Sequence, residues 1–233
     1  MSYEPNWKLY SYVMAAFAVI LVLSNIVAAK LWALGPFVFA GGLVLFPISY
    51  ILGDVVVEVY GYAGGRKIFW VGLAANVFMV IVLLITDALP GIDPEFSAKY
   101  HDVLLQVPRI VFASAVGVWL GQFVNAFVMS RMKVLTNSKY LWMRTIGSTL
   151  CGEFVDTTLF IILAFGFTLP WSVVGNMIVT GTVAKTLYEA AVTPITYIVV
   201  NWFKRVEDVE AFDAGENYSP FKSGRGGRIE DVR

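Results

Sequence analysis

The sequence predicts an all-α integral membrane protein, a bundle of six transmembrane helices with both termini in the cytoplasm. Composition is the first observation: 58% of the 233 residues are hydrophobic, 15% are charged, and the mean hydropathy is +0.71. Soluble domains carry about 25% charged residues, so composition excludes that class. The second observation is length, because six apolar stretches are long enough for helices that cross the bilayer, which need about 20 residues each.

The six predicted spans are joined by short connections except after the third span. They cover residues 9–29, 37–60, 68–85, 107–129, 141–165 and 175–203. The longer connection, 87–107, is rich in Pro and Gly and is expected to pack over the outer mouth. Pro108 fits the first turn of the fourth span, where its missing N–H is harmless. Residues 1–205 form the transmembrane domain, and the charged tail 206–233 is too polar for a core of its own.

Basic residues near the span ends give the orientation. Nine of them flank the ends assigned to the inner side: Lys8, Arg66, Lys67, Arg131, Lys133, Lys139, Arg144, Lys204 and Arg205. Three flank the outer ends: Lys30, Lys99 and Arg109. Because Lys and Arg are in excess in cytoplasmic loops, this count places both termini inside.

Polar side chains recur within the apolar spans, where an Asp or Lys at the centre costs about 2.5–3.5 kcal/mol. They are Asn25, Lys30, Asp54, Glu58, Asn76, Gln122, Asn125, Glu153, Asp156, Lys185 and Glu189. Two of these spans also contain prolines, Pro47 and Pro194, which are expected to kink them. Helix discontinuity near charged groups is typical of transport sites.

Two of the polar pairs stand in nearly identical motifs, GQFVN at 121–125 and GEFVD at 152–156. Residues three or four apart share one face of a helix. The fourth and fifth spans are antiparallel, and at about 1.5 Å per residue the two motifs overlap in depth. We therefore predict that the motifs face each other, with Trp119 and Phe160 one turn away as flat apolar surface.

Five carboxylates and two lysines within spans favour a hydrated cavity over simple helix–helix adhesion. Ser and Thr could hold helices together without the desolvation penalty of ions. Carboxylates with aromatic walls suit a planar ligand that presents several N–H donors, such as a guanine-type base, because a carboxylate accepts two parallel hydrogen bonds from such an edge. A cationic ligand would also suit the cavity.

Several other classes of site are not expected. Cys151 is the only cysteine and His101 the only histidine; we interpret Cys151 as a packing residue and His101 as a solvated loop residue. The spans contain no histidine and no nucleophile motif, so we predict neither a metal, a cofactor nor an enzyme activity. Zero net charge gives no reason to expect a nucleic-acid partner.

The chain resembles the queuosine precursor transporters, a branch of a wider group of vitamin uptake transporters. The resemblance rests on SNIVAAK (24–30), FPISYILGDVVVEVYG (46–61), RIVFAS (109–114), GQFVN, R-x-x-x-S (144–148), GEFVDTTLF (152–160), K-x-x-x-E (185–189) and NYSPF (217–221). It covers residues 24 to 221. The six-helix plan is also similar to the substrate-binding subunits of energy-coupling-factor vitamin transporters.

This resemblance implies import of 7-cyano-7-deazaguanine or 7-aminomethyl-7-deazaguanine across the bacterial inner membrane, with the deazapurine and the lipid bilayer as partners. The predicted binding residues are Gln122, Asn125, Glu153, Asp156, Lys185, Glu189, Trp119, Phe160, Asn76 and Asn25. Those assigned to proton coupling or gating are Asp54, Glu58 and Lys30. Family members more often have an acid at the position of Asn125, and some have Gln at that of Glu153. These differences are expected to affect which precursor is taken.

Three alternatives are left open by the sequence. The chain could be the binding subunit of a vitamin transporter that needs an ATP-driven partner, since it has no nucleotide-binding motif of its own. It could also be a membrane enzyme or a structural bundle, although the missing nucleophile and the cost of the intramembrane charges count against these. A homodimer is neither favoured nor excluded.

Overall fold

The computed structural model describes residues 7–135, 141–212 and 228–231, and within these ranges the protein is built mainly from long helices. The helices are α1 (Tyr10–Val27), α2 (Phe46–Asp87), α3 (Pro94–Leu104), α4 (Val107–Leu135), α5 (Leu141–Phe165) and α6 (Trp171–Glu207). The short strands form two antiparallel pairs. β1 (Leu31–Leu34) pairs with β2 (Phe37–Ala40), and β3 (Val209–Phe212) pairs with β4 (Arg228–Asp231). A 3-10 turn, Gly41–Leu45, leads from β2 into α2.

Five described stretches are long and apolar enough to cross a membrane: Tyr10–Val27, Gly41–Gly61, Gly64–Asp87, Pro94–Asn125 and Ile146–Phe165. They overlap the first five predicted spans, and an all-α, multi-pass membrane protein is therefore confirmed. The sixth predicted span lies in α6, which is not among the five. The count of six spans and the cytoplasmic location of both termini stay predictions.

The start of the second span differs from its predicted position. Residues 37–40 form β2, and α2 begins only at Phe46. The turn between β1 and β2 consists of Gly35, whose φ of +59° lies in the left-handed region that favours glycine, and Pro36. A four-residue apolar run is too short for its sequence to distinguish a strand from one turn of a helix. The sequence analysis therefore did not predict the hairpin turn between β1 and β2.

The predicted helix breaks are found at different places. Pro47 stands in the first turn of α2, where a proline is harmless, so the expectation that it kinks the span is wrong. The break in α2 is instead at Gly61, whose φ of +68° separates the second and third predicted spans. Pro194 does lie inside α6, as predicted.

The connection between the third and fourth spans contains α3. The Asp93 side chain accepts hydrogen bonds from two backbone N–H groups of the first turn, and Pro94 occupies the first position, which together start the helix. Pro108 lies in the first turn of α4, as predicted. His101 is exposed, as expected, but it belongs to α3 and its Nδ1 lies 2.9 Å from Asp87 Oδ2.

The chain divides into two compact units. Unit 1 comprises residues 1–23, 45–78 and 189–233, and unit 2 comprises residues 24–44 and 79–188, each as far as it is described. The core of unit 1 includes Tyr10, Val55, Val59, Ile68 and Val200. The core of unit 2 includes Ala28, Ile110, Ala113, Ile161, Ala164, Phe165, Val174 and Met177.

A buried carboxylate joins distant parts of unit 1. Glu207, at the end of α6, is only 4% exposed. It accepts hydrogen bonds from the backbone N–H groups of Lys8 and Leu9, both at 2.7 Å, and from the Tyr60 hydroxyl at 2.8 Å. The carboxylate thus satisfies donors just ahead of α1, where negative charge also complements the helix dipole.

The hairpin of β1 and β2 is fastened to α6 within unit 2. Asn176 accepts a hydrogen bond from the Val38 N–H and donates one to the Pro36 carbonyl, both at 2.9 Å. The Thr180 hydroxyl donates to the Val38 carbonyl at 2.8 Å. These contacts hold the hairpin against the second and third turns of α6.

Candidate functional site

The two related motifs meet where α4 packs against α5. A methyl group placed on Gly117 would lie 2.7 Å from Asp156 Oδ1, and one on Gly121 would lie 2.9 Å from the Gly152 carbonyl. On the other helix, a methyl group on Gly152 would lie 2.8 Å from the Asn125 Cβ. Only glycine fits at such distances, and small residues allow membrane helices to approach closely. The motifs face each other through their glycines, which hold Asn125 and Asp156 at the interface.

Lys185 of α6 completes a charged group with two acids of α5. Its Nζ lies 2.5 Å from Asp156 Oδ2 and 3.3 Å from Glu153 Oε2. The three side chains keep 16–20% of their surface exposed, so they are not sealed within the packed helices. One cation between two carboxylates leaves a formal charge of −1. We call Asn125, Glu153, Asp156 and Lys185 the polar cluster.

Several polar atoms in the polar cluster or next to it have no hydrogen-bond partner within the described part of the chain. They are the amide oxygen of Asn125 and the hydroxyls of Thr157 and Thr158, all of them buried. Thr157 also faces α6, since its Cγ2 lies 3.2 Å from the position of a methyl group on Gly181. Buried polar atoms are normally paired with protein, water or ligand. The arrangement can therefore accept further hydrogen bonds at Asn125 and donate or accept them at the two threonines.

The other residues predicted for this site in unit 2 are placed less favourably. Gln122 is exposed, unlike Asn125 three residues later, and Trp119 is 60% exposed. Phe160 is half-buried beside the polar cluster. Asn25 is buried and Lys30 is exposed.

The remaining predicted residues belong to unit 1. Asp54 interacts electrostatically with Glu189 and Glu58, and Lys204 Nζ lies 3.5 Å from Glu58 Oε2. Asn76 is buried, and its amide group donates to the Gly72 carbonyl of the same helix at 2.9 Å. Unit 1 therefore contains an acidic group of its own around Asp54.

Sequence reasoning missed the threonines and misjudged Cys151. Thr157 and Thr158 lie inside the GEFVDTTLF motif, which was the signal that could have identified them. They were not predicted as binding residues, because threonine is common in helix interfaces. Cys151 was interpreted as a packed residue, yet it is exposed. The physical reason is its position: its neighbour Gly152 takes the crowded side of α5, so the cysteine side chain points away from α4.

A comparison with protein families gives the class of the molecule. Residues 40–199 match the model of a family described as "Putative vitamin uptake transporter". This match covers more than half of the chain and includes α2 to α5, with the whole polar cluster. The chain belongs to this family. As a member of a transporter family with several apolar helices, it is a multi-pass membrane protein.

Three bacterial relatives are similar over part of their length. A "Queuosine precursor transporter" of Escherichia coli K12 is 30% identical over 129 residues, which is 53% of this chain and 54% of that protein. "Probable queuosine precursor transporter" proteins of Haemophilus influenzae and Bacillus subtilis are 28% and 25% identical over 144 and 126 residues, covering 60% and 53% of this chain. The match spans 54% to 59% of the length of these curated relatives. No solved structure matches the chain.

Proposed function

We propose that this chain imports queuosine precursors, 7-cyano-7-deazaguanine or 7-aminomethyl-7-deazaguanine, across the bacterial inner membrane. The names of the three relatives support the substrate class. The observation that carries the proposal is the polar cluster, in which Lys185 bridges Glu153 and Asp156 while the Asn125 oxygen has no hydrogen-bond partner among the described residues. Such a group is costly in a membrane protein unless a ligand uses it.

The donor edge of a guanine-type base suits the acids of the polar cluster. Its N1–H and 2-amino groups lie side by side and match the two oxygens of one carboxylate. Lys185 can then stay paired with the second carboxylate, so that the site keeps no more than its formal charge of −1. The oxygen of Asn125 and the threonine hydroxyls provide further partners for the ring, and Phe160 provides an apolar surface.

The remaining predicted residues are assigned secondary roles in the same proposal. Asp54 and Glu58 of unit 1 form the group for proton coupling or gating, and Lys30 is proposed as a gating residue near the outer end of α1. Glu189, which interacts with Asp54, is assigned to the same group in unit 1. Gln122 and Trp119, which are exposed, are proposed as peripheral binding residues in unit 2. Asn25 and Asn76 are proposed as supporting residues, each within its own unit.

Binding and uptake by the purified full chain test the proposal. In proteoliposomes, wild type should accumulate labelled 7-cyano-7-deazaguanine without ATP, and Glu153→Ala or Asp156→Ala should weaken binding by about 10- to 100-fold, because each removes a charged hydrogen-bond acceptor. Each variant leaves Lys185 one carboxylate, so folding should be retained. Glu95→Ala is the matched control, since this acid is exposed on α3.

Three outcomes separate the alternatives. Wild-type binding in both acid variants would remove the polar cluster from the substrate site. Binding without transport by the chain alone would favour a binding subunit that needs an ATP-driven partner. Absence of any ligand-induced rise in melting temperature, which a ligand specific for the folded state must cause, would contradict a transport function for this substrate class.

A further inference from the structure

A second polar site lies at one end of unit 2, apart from the polar cluster. A cavity of about 490 Å³ is lined by residues next to β1, by the junction of α3 and α4, and by the turn between α5 and α6. This volume is in the range of small-molecule sites. Phe165 and Leu169 give it apolar walls, while Gln106 and Arg109 are its polar side chains from the start of α4.

Arg109 is the unusual residue in this cavity. Its Nε is buried and has no hydrogen-bond partner among the residues that the structure describes. A guanidinium group only donates hydrogen bonds, and a buried donor without an acceptor is costly. The other ionisable groups of the wall do not meet this need: His101 is paired with Asp87 and Asp102 is exposed. A ligand that enters the cavity and presents an acceptor to Arg109 would satisfy this donor.

This cavity and the polar cluster lie along the same two helices, α4 and α5. Arg109 precedes Gly117 by eight residues on α4, a rise of about 12 Å, and Gly117 lies against Asp156. On α5, Phe160 lies between Asp156 and Phe165, and the two phenylalanine rings contact each other with centroids 6.1 Å apart. The cavity and the polar cluster thus lie one after the other along α4 and α5, and the contact between Phe160 and Phe165 connects them.

We propose that this cavity is a docking site that reads the acceptor edge of the base before it reaches the polar cluster. This inference rests on the proposed function. Arginine binds the O6 and N7 edge of guanine through two parallel hydrogen bonds. In the 7-deaza compounds the corresponding edge carries the 6-carbonyl and the substituent on C7. Arg109 donates to the carbonyl and to the nitrile nitrogen of the 7-cyano form, whereas the 7-aminomethyl form offers it a cation and is repelled.

Selectivity between the two precursors is therefore the measurement that tests Arg109. The purified full chain is titrated with 7-cyano-7-deazaguanine and, separately, with 7-aminomethyl-7-deazaguanine. Arg109→Gln should weaken binding of the cyano form by about 10- to 100-fold, the effect of losing one bidentate pair, and change binding of the aminomethyl form by less than about threefold or strengthen it. Arg131→Gln, the same change on exposed α4 surface, should alter neither.

A second variant keeps the test decisive if Arg109→Gln does not fold. Arg109→Lys retains the charge but loses the planar fork, so it should also lose most of the preference for the cyano form. Wild-type binding with the same preference in both folded variants would overturn the docking site and leave the proposed function standing. Binding of neither compound by wild type would overturn the proposed function and this inference with it.

Discussion

At the scale of single residues, similar side chains have different surroundings in the two units. Asp156 is paired with a lysine at 2.5 Å, while Asp54 interacts mainly with two other acids, Glu189 and Glu58. A carboxylate bonded to a lysine is held in place as a hydrogen-bond acceptor, which suits ligand binding. Acidic side chains inside membrane proteins are typical of proton relays, which suits the coupling role proposed for Asp54.

Replacement of Asp54 should therefore separate transport from binding. In Asp54→Asn, the affinity for 7-cyano-7-deazaguanine should stay within about threefold of wild type, because ligand contacts are assigned to the polar cluster. Stimulation of uptake by an inward proton gradient should be lost, since the amide cannot take up the proton. Uptake in proteoliposomes with and without the gradient is the measurement, with Glu95→Gln as control. Full stimulation in Asp54→Asn would assign coupling elsewhere.

Spacing predicted the residues of the polar cluster but not all of their pairings. Lys185 and Glu189 are four residues apart, and sequence placed them on one face, yet the lysine bonds to the acids of α5. Partners from another helix depend on helix packing, which no local pattern contains. Arg109 was assigned no binding role, because the surroundings of its Nε depend on a cavity formed by distant segments.

At the scale of elements, the contact between α4 and α5 positions the site. The prediction that GQFVN and GEFVD face each other is confirmed, because Gly121 and Gly152 approach each other's backbone. The prediction of residues 141–165 also coincides with α5, since a long apolar run is the most reliable helix signal. The hairpin at 31–40 was missed, because its short strands resemble the ends of apolar spans.

Gly121→Ala and Gly152→Ala should disrupt this contact. The added methyl groups would lie 2.8 Å from the Asp156 and Asn125 Cβ atoms respectively, so the helices must move apart, at a cost of about 1–3 kcal/mol as for other overpacked positions. Melting temperature and ligand affinity should both fall. In the control Gly175→Ala, the methyl group has no atom within 4 Å, and neither quantity should fall. Unchanged affinity in the Gly121 and Gly152 variants would mean that this contact does not position the polar cluster.

At the scale of the whole molecule, α6 decides how many times the chain crosses the membrane. Five described stretches have the required apolar length, and α6, with Lys185 and Glu189 within it, is not one of them. Its 37 residues are nevertheless long enough, at about 1.5 Å per residue, to span the bilayer. The count of basic residues predicts that its last turn, with Lys204 and Arg205, lies inside.

Cysteine labelling in intact cells distinguishes six crossings from five. In a Cys151→Ala background, Glu95→Cys on α3 should react with a membrane-impermeant maleimide added from outside, because that connection is predicted to be external. Asp208→Cys, just after α6, should react only after the cells are permeabilised. Labelling of Asp208→Cys from outside, with Glu95→Cys also labelled, would show that α6 does not cross.

The hydrogen bonds of Glu207 also have a consequence for biosynthesis. The backbone N–H of Lys8 leaves the ribosome 199 residues before the carboxylate that it binds. During most of translation, therefore, the start of α1 has no protein acceptor and relies on water or lipid head groups. A chain that stops short of Glu207 lacks this acceptor, so the start of α1 should be held less firmly in an incomplete product than in the finished protein.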